Sequence, residues 1–369
     1  MITMSIFSTL EPVMAGSLTL FNPIEILNKN NNFYFNTQTL ILNDAFSLKG
    51  LFNDFHGNFT EQKSDYTAIG NMRYDIGTYM NNSFYIGYAY RKEAMIKTSS
   101  DTMQLVNHVS NDLALPIGKK YQIDLNIEGF ETHSIVLATL LPLYHADDLD
   151  ITLGLSAEAL YGIQTQNGYA SGEAEAIASD DYDFTWNSHY LYTNNYLYDL
   201  DVPQVTSYGY TTHVALRIKY NHFLFNIVAN DLVGKLYWKN LPYSDVVLSS
   251  GNKHYDANGY VVYTPVISGF EGNSKYVQTL PNKWRISGQY SFNNNSAKFD
   301  IDMVNKIVLP SIEYAHTYKN DVTVSLNYEM YFYMFGAGMR YKYYYFNIQS
   351  NSLIEPSAMK LDFGIHYKF

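Results

Sequence analysis

The chain has 369 residues, a formal net charge of −11 and no cysteine. The acidic balance argues against nucleic acid as a partner, because phosphates are contacted by clustered Lys and Arg, and the lack of cysteine excludes disulfides and thiolate metal sites. Only 16% of the residues are charged, whereas soluble domains carry about 25% charged residues. Aromatic residues also make up 16% of the chain, and 36 residues are tyrosine. The best apolar run, at 134–143, is too short for a membrane-spanning helix and contains Pro142.

The N-terminal residues are typical of the later part of a secretory signal. Residues 1–15 form a moderately apolar stretch that ends in a small-residue cleavage pattern, although a basic start is missing and Glu11 is unusual there. We interpret 1–15 as the remnant of a signal peptide; an ordinary frayed terminus is the alternative. Residues 16–32 are then a short N-terminal segment, which is a candidate partial plug, and 33–369 are the single following domain.

Apolar and polar side chains alternate in one segment after another. Clear examples are YTAIGNMRYDI (66–76), SFYIGYAYR (83–91), YQIDLNIEG (121–129) and KWRISGQYSF (283–292). Successive side chains of a strand point to opposite faces, so this alternation predicts strands with one apolar and one polar face. Such strands fit a soluble sandwich, or a membrane barrel whose apolar face meets lipid and whose polar face lines a lumen. No segment longer than a turn or two has helical periodicity.

The number of strands favours the barrel. A single open sheet rarely holds so many strands, and closing the sheet removes its edges. In lipid, closure is compulsory because no backbone group is left unpaired there. We therefore predict an all-β fold, a transmembrane antiparallel β-barrel of about 14 strands (roughly 12–16) with long outer loops. A soluble secreted β-sandwich is the remaining alternative.

Irregular stretches at 50–64, 97–120, 164–205 and 237–282 are the predicted outer loops. The last strand of a bacterial barrel runs toward the periplasm, so an odd number of strands has to follow the loop at 237–282. The alternation yields an even number instead. We expect the missing boundary within 331–349, a long stretch without a clear turn.

Charged residues on the polar face of the strands are candidates for the lumen lining. Lumen charges tune what passes through a barrel, so these residues could form a selectivity lining. Alternatively, opposite charges pair across the interior and fill it. Because both signs are well represented, we expect partial pairing and no strongly anion-selective pore. The candidates are Arg73, Arg91, Glu128, Glu158, Arg217, Arg285, Asp300, Asp302, Glu329 and Arg340.

Aromatic residues are dense between positions 181 and 200. Rows of aromatic side chains form girdles where strands cross the membrane interface, and this is the favoured interpretation. The alternative is a binding platform for an apolar or glycan ligand. The candidates for either role are Tyr182, Phe184, Trp186, Tyr190 and Tyr192.

The sequence has no convincing catalytic or metal-binding pattern. The histidines lack ligand spacing, and neither a Gly-rich phosphate loop nor a nucleophile elbow is present. His145 precedes the carboxylates Asp147 and Asp148, but a polar turn is expected there because a strand has just ended. We therefore predict a protein that is not an enzyme and has no metal or cofactor.

The chain ends in MKLDFGIHYKF (359–369), which alternates strictly up to its final aromatic residue. This pattern resembles the assembly signal of bacterial outer-membrane β-barrels, in which the barrel-assembly machinery reads a final aromatic residue and the apolar residues at every second position before it. The resemblance implies the outer membrane of a Gram-negative bacterium, with membrane lipid and the assembly machinery as partners. The matching residues are Phe363, Ile365, Tyr367 and Phe369.

A second resemblance covers more of the chain. Residues 207–232, followed by LPNKWRISGQYSF (280–292), are similar to the long-chain fatty-acid outer-membrane transporter superfamily and its conjugal-transfer relatives. The resemblance implies a barrel that moves hydrophobic compounds and has an N-terminal plug with an Asn-Pro-Ala motif. Asn22 and Pro23 match this motif, but Ile24 follows them, and the segment before the first strand is short.

Together these features predict an outer-membrane channel for passive uptake of small, hydrophobic molecules, whose ligand is unidentified. The alternative is a closed structural or adhesive barrel that acts through large surface loops. A continuous lumen with an apolar, ligand-sized pocket would favour the channel. An interior filled by side chains, with protruding loops, would favour the structural role.

Overall fold

The computed structural model describes residues 18, 20–24, 33–62, 64–80, 84–146, 148–195, 202–250, 253–255, 261–263, 267–318 and 322–367. The signal-peptide prediction for 1–15, Asp147 and Phe369 lie outside these residues. The elements are α1 (Leu48–Leu51), α2 (Ser100–Ser110) and the strands β1 (Phe33–Asn43), β2 (Tyr66–Met80), β3 (Phe84–Thr98), β4 (Lys120–Ala146), β5 (Leu149–Ala176), β6 (Tyr182–Tyr192), β7 (Ser207–Tyr220), β8 (Phe223–Asn230), β9 (Lys235–Ser249), β10 (Lys253–Tyr255), β11 (Val261–Tyr263), β12 (Ile267–Thr279), β13 (Lys283–Phe292), β14 (Asn295–Val304), β15 (Ile307–Thr317), β16 (Val322–Glu329), β17 (Met334–Tyr341), β18 (Tyr344–Ser350) and β19 (Ala358–Tyr367).

Fourteen strands form a closed ring through antiparallel pairing. Strands β1–β5 pair in order, β5 continues to β7, β7 to β8 and β8 to β13, and β13–β19 again pair in order. The first and last strands close the ring, with Phe33 opposite Tyr367 and Leu42 opposite Ala358. A closed ring has no free edge. The predicted all-β antiparallel barrel of about 14 strands is confirmed.

The barrel is much taller on one side. Strands β4 and β5 have 27 and 28 residues, whereas β13–β19 have 7 to 11. At about 3.3 Å per residue the tall strands span roughly 90 Å and the short ones roughly 30 Å. The tall side is extended by β6, β9 and β12, which pair in the order β5–β6–β9–β12. The prediction of loops at 164–205 and 237–282 is therefore wrong over much of both stretches, which are occupied by parts of β5 and β9 and by β6 and β12.

The number of strands after residue 282 is odd, as the direction of the last strand requires, and not even, as the sequence alternation indicated. Seven strands, β13–β19, follow residue 282. The additional turn joins Tyr341 to Tyr344, and Lys342 adopts a φ of 50° within it. This boundary lies inside 331–349, as expected. It was invisible because the turn contains Lys and Tyr in place of the usual Gly or Asn.

Large apolar side chains cover the outward face of the short strands. Leu326 on β16 is 64% exposed and Phe335 on β17 is 69% exposed. Ile86, Ile135, Phe299 and Ile312 continue this belt on other strands. An exposed apolar patch of this extent is rare on a soluble protein, whereas it is the expected surface of a barrel in lipid. The barrel is therefore a transmembrane one.

Helix α2 contradicts the prediction that no helical segment exceeds a turn or two. It has 11 residues, and the hydroxyl of Ser99 caps it by accepting a hydrogen bond from the Thr102 N–H at 3.1 Å. Within it only Met103 and Leu105 are buried apolar residues, too few to produce a clear period in the sequence. Among the described residues, no helix has the length and apolar character needed to cross a bilayer.

The last strand contains three of the four residues of the assembly-signal resemblance. Phe363, Ile365 and Tyr367 alternate along β19 and share its outward face, and Phe363 meets Phe35 of β1 with ring centroids 6.2 Å apart.

The end of the barrel at which β19 finishes has the tight turns and is called the lower end here. The opposite, taller end is the upper end.

Candidate functional site

Fully buried charges occupy the lumen at mid-height. Arg73 of β2 donates to Asp75 Oδ1 at 2.8 Å and to Glu158 Oε1 of β5 at 2.6 Å. Glu158 also accepts from the Ser134 hydroxyl at 3.0 Å and contacts His213 Nε2 at 2.9 Å. A buried carboxylate is tolerated when it is paired and hydrogen-bonded in this way. The interior of the barrel thus brings together charges from strands that are far apart in sequence.

A second set of charges lies directly beside the first. Arg91 of β3 donates to both Asp231 oxygens, at 2.9 and 2.8 Å, and to Glu93 Oε1 at 2.8 Å. Lys283 Nζ is 2.5 Å from Glu93 Oε1 and 3.5 Å from Asp231 Oδ2. Arg91 Nη1 lies 3.7 Å from Glu158 Oε2 and so joins the two sets. We call the combined cluster of Arg73, Asp75, Arg91, Glu93, Glu158, His213, Asp231 and Lys283 the lumen charge network.

The hydrogen bonds of His213 define its tautomer. The backbone N–H of Asp231 donates to Nδ1 at 3.3 Å, so Nδ1 is an acceptor and the ring proton is on Nε2, facing Glu158. With His213 neutral, three cations face four carboxylates, which leaves the network one negative charge in excess. All its members are at most 5% exposed. The network therefore fills this part of the lumen with paired charges that are shielded from solvent.

The described part of the N-terminal segment, Leu18 and residues 20–24, crosses the lumen against this network. The Phe21 N–H donates to Asn230 Oδ1 at 2.6 Å, and Asn230 Nδ2 donates to the Phe21 carbonyl at 2.9 Å. The Phe21 ring lies 4.9 Å from the guanidinium carbon of Arg73, a cation–π geometry. The segment is thus tied to β8 at one end of the network and to β2 at its centre.

The apolar side chains of the segment cover apolar lumen surface. Leu18 and Leu20 pack in one cluster with residues of β1, β2, β14 and β17, among them Leu42 and Met334. Ile24 packs with Ala215 and Val228 on β7 and β8. In the described part of the segment, Leu18, Leu20, Phe21 and Ile24 are at most 5% exposed.

Two neighbouring cavities lie in the lumen above the network. The upper cavity, of about 390 Å³, is lined by Lys97, Asp124 and Asn126 among others. The lower one, of about 220 Å³, extends down to Glu93 and Lys283. Both are lined by Met95 and Glu128, and together we call them the vestibule, whose lower part ends on the network.

The predicted lumen residues fall into separate groups. Arg73, Arg91 and Glu158 meet in the network, and Glu128 lines the vestibule. Arg285 and Asp302 pair at 2.6 Å, and Asp300 pairs with Lys298 at 2.9 Å, in the lower lumen.

The other three predicted residues lie apart from these groups. Arg217 contacts Asn226 at 3.4 Å on the neighbouring strand, and Arg340 is exposed near the lower end. Glu329 accepts from the backbone N–H groups of Tyr331 and Phe332 at 2.7 and 2.8 Å. Its carboxylate therefore stabilises the β16–β17 turn and is not available to an ion in the lumen.

Asp75 lies on the polar face of the predicted strand at 66–76, whereas four members of the network were missed: Glu93, His213, Asp231 and Lys283. For Glu93 and Lys283, the spacing of charged residues in the sequence could have identified them. Glu93 follows Arg91 by two residues and Lys283 precedes Arg285 by two, a spacing that places both charges on one strand face. Asp231 lies one residue beyond the end of β8, where the alternation gives no information.

The five aromatic candidates lie on the outward face of β6. The rings of Phe184 and Trp186 stack with centroids 4.5 Å apart, and those of Tyr190 and Tyr192 stack at 4.9 Å. Tyr182, Phe184 and Trp186 pack against a cluster that contains Leu105 of α2 and residues of β4 and β5. The row is therefore covered by protein on its upper part.

Comparisons with known proteins give structural likenesses only. The chain matches no protein-family model and no curated protein. A TodX variant described as a monoaromatic hydrocarbon channel has a TM-score of 0.48 and 10% sequence identity, over 94% of this chain and 93% of that one. The P. putida toluene transporter TodX has a TM-score of 0.45 and 11% identity over 95% and 94%. The CymD monoaromatic hydrocarbon channel has a TM-score of 0.32 and 8% identity over 95% and 92%.

Proposed function

We propose that this protein is an outer-membrane channel for passive uptake of small, hydrophobic molecules, and that the segment at 16–32 is its plug. The observation that carries the proposal is the apolar strip in the lumen beside the lumen charge network. This strip is covered by the side chains of Leu18, Leu20, Phe21 and Ile24.

The strip runs along the path that a hydrophobic molecule needs. Its upper part includes Leu40, Leu42 and Met95, and its lower part includes Ala138 and Val228. A water-filled general porin has a polar interior, so buried apolar surface in the lumen is unusual. When the segment leaves, the strip offers a hydrophobic solute the same contacts that the four side chains make now.

The segment is attached in a way that permits its release. None of its described residues belongs to a strand of the barrel. Asn22 Oδ1 accepts from the Ile24 N–H at 3.1 Å, so part of its polar bonding is internal. Removing it therefore leaves every strand pairing of the ring intact, and the main cost is the exposure of apolar surface.

Uptake of a hydrophobic solute and opening of the channel on loss of the plug should be tested together. In intact Gram-negative cells that express the protein, we expect faster uptake of naphthalene than in cells with an empty vector. A variant with Ser in place of Leu18, Leu20, Phe21 and Ile24 keeps the chain length while it removes the apolar contacts. This variant should show larger single-channel conductance in planar bilayers. If both proteins fold and neither raises uptake, the channel proposal is wrong.

The closed structural or adhesive barrel remains the second candidate, and the filled lumen favours it. The lumen charge network and the tall extension formed by β4, β5, β6, β9 and β12 suit a surface protein with a sealed interior. The bilayer experiment separates the two candidates, because a structural barrel stays closed when the four apolar side chains are replaced.

Location and assembly complete the proposal. The apolar belt requires a membrane, and closed antiparallel barrels with tight turns at one end are typical of the Gram-negative outer membrane. The alternation of Phe363, Ile365 and Tyr367 supports recognition by the barrel-assembly machinery.

For the described residues, no cluster of three or more His, Asp or Glu suits a metal ion. We propose no catalytic role.

A further inference from the structure

A cavity of about 540 Å³ lies outside the lumen, on the outward face of the tall side. Its floor is the barrel wall and includes Ala68 of β2, Ile96 of β3, Leu125 of β4 and Ala170 of β5. Residues of the same parity on these strands, such as Ile86 lower on β3, belong to the lipid-facing belt. We call this space the external cavity.

The height of the external cavity places it above the lipid. The uppermost pair between β1 and β19 is Leu42 with Ala358, and Ala68 pairs with Asn43, the next residue of β1. The cavity therefore begins where the short side of the barrel ends. Apolar wall at this height faces water unless something covers it, and bilayer acyl chains do not reach it.

Two loops form the roof of the external cavity. Met103, Val106 and Val109 line it from α2, and Phe55 lines it from the loop that contains α1. The side chain of Asn111, at the end of α2, joins the two loops through hydrogen bonds. Its Nδ2 donates to the Phe55 carbonyl at 3.0 Å, and its Oδ1 accepts from the Gly57 N–H at 2.9 Å.

Asp54 and Phe55 have a strained backbone, and this conformation places the Phe55 ring in the roof of the external cavity. Asp54 and Phe55 have φ values of 53° and 60°, a left-handed conformation that is unfavourable for residues other than glycine. The Phe55 side chain is 6% exposed and meets Phe46 with ring centroids 5.6 Å apart. Strain of this kind persists only where the surroundings enforce it, and it is concentrated at binding sites.

One side of the external cavity is aromatic. Tyr182 and Trp186 line it from β6, and the stacked pair of Phe184 and Trp186 is almost parallel, with an interplanar angle of 25°. Together with Tyr66 and Phe55, these rings provide faces and edges for offset or edge-to-face contact with a planar apolar molecule.

The charges at the external cavity discriminate between ligands. Its acidic lining residues are Asp54 and Asp112, and with His56 they are exposed, so the cavity opens to solvent on their side. The described lining contains neither Lys nor Arg. A fatty-acid carboxylate at this mouth would meet two like charges without a cation to pair with, whereas an uncharged molecule meets no such penalty.

We infer that the external cavity is a binding site for an uncharged, ring-containing apolar molecule. A volume of about 540 Å³ lies within the range of ligand pockets. A dry cavity of about 150 Å³ already takes benzene, so this space accommodates a ligand of two or more fused rings. The inference rests on the proposed function, for which the cavity is a capture site at the cell surface.

The site can be located with an apolar phenyldiazirine that labels nearby residues on illumination. The full chain in lipid nanodiscs is labelled with and without naphthalene, and the labelled peptides are identified by mass spectrometry. We expect naphthalene to protect residues 99–112 saturably, and naphthoate to need at least about tenfold higher concentration because its charge has no partner there. Val106→Trp fills the cavity and should abolish the protection. Val308→Trp on the lipid-facing belt is the matched control and should retain it.

Each result has a defined meaning. Labelling of 99–112 that is not saturable, or equal protection by naphthoate, overturns the inference. Val109→Trp, at a half-exposed position, is a second filling variant in case Val106→Trp does not fold. Saturable protection without naphthalene uptake by cells would support the site and contradict the channel. Uptake without protection would support the channel and contradict the site.

Discussion

Phe21 and Asn230 are joined by two hydrogen bonds, one in each direction, although 209 positions separate them in the chain. One amide side chain thus provides both a donor and an acceptor for the backbone of a segment that belongs to no strand. The bonds are buried, so losing Asn230 leaves an N–H and a carbonyl without a partner, at about 1–3 kcal/mol for each group.

Replacing Asn230 by Ala should therefore loosen the segment in the lumen. We expect more frequent or larger openings in planar bilayers, because the bound position loses two buried hydrogen bonds. Asn226→Ala is the control, since Asn226 lies on the same strand and its contacts, to Arg217 and Ser287, are 3.4 and 3.5 Å long. Equal conductance of the two variants would contradict a gating role for Phe21.

Steric displacement of the segment should have a similar effect. A Cβ atom at Gly154 would lie 2.7 Å from Cγ1 of Ile24 and 3.0 Å from Cγ of Pro23, so Gly154→Val leaves no room for the segment. We expect faster proteolysis of the N-terminal segment in the folded protein. Gly288→Ala is the control, because a Cβ there meets nothing within 4 Å. A protease-resistant N-terminus in the Gly154 variant would be incompatible with this packing.

Removal of a cation from the lumen charge network should destabilise the barrel. Arg91→Met leaves Asp231 and Glu93 with fewer partners in a buried site, and breaking a buried pair costs about 3–5 kcal/mol. Urea unfolding of the protein in lipid vesicles measures this change. Arg340→Met, at an exposed lumen position, should alter the free energy of unfolding by less than about 0.5 kcal/mol. A small effect at both positions would show that water reaches the network.

Asp44 should make stability depend on pH. Burial raises the pKa of its carboxyl to about 6, even though the Thr67 N–H donates to it at 2.8 Å. The folded state then binds more protons than the unfolded state between about pH 4 and 6, so stability falls as the pH rises through this window. Asp44→Asn removes the penalty and should stabilise the protein by roughly 2–3 kcal/mol above pH 6.

The difference in the free energy of unfolding between Asp44→Asn and the native protein should vanish below about pH 3, where the Asp44 carboxyl is protonated in the folded and in the unfolded state. Unfolding by urea at several pH values tests this. A constant difference over the whole range would mean that hydrogen bonding, and not ionisation, separates the two proteins.

Assembly should depend on the end of the chain more than stability does. If Phe369 is part of an assembly signal, as the resemblance of the chain end implies, its deletion should lower the amount of folded protein in the outer membrane, while refolding of the purified chain in vesicles proceeds unchanged. Deletion of Lys368 alone tests register, since it moves the final Phe to position 368, off the alternation of Phe363, Ile365 and Tyr367. If both variants assemble normally in cells, the assembly-signal hypothesis is wrong.

The period-2 alternation determined the fold class, because one face of each strand had to be apolar and the other polar. It also placed Arg73, Arg91 and Glu158 on the lumen side, since parity along a strand is local information. Even the location of the hidden turn in 331–349 followed from counting strands. The extension strands β6, β9 and β12 lie within stretches that were interpreted as loops, although β6 alternates aromatic residues from Tyr182 to Trp186 with polar ones.

The tertiary structure decided which lumen charges meet. Glu158 pairs with Arg73 over 85 positions and Arg91 with Asp231 over 140, and such distances in the chain are set by the order and register of the strands. The placement of Phe21 beneath Arg73, and of α2 over the aromatic row of β6, depends in the same way on closure of the ring. Local pattern specifies the face of a side chain, whereas only the closed sheet specifies its neighbours across the barrel.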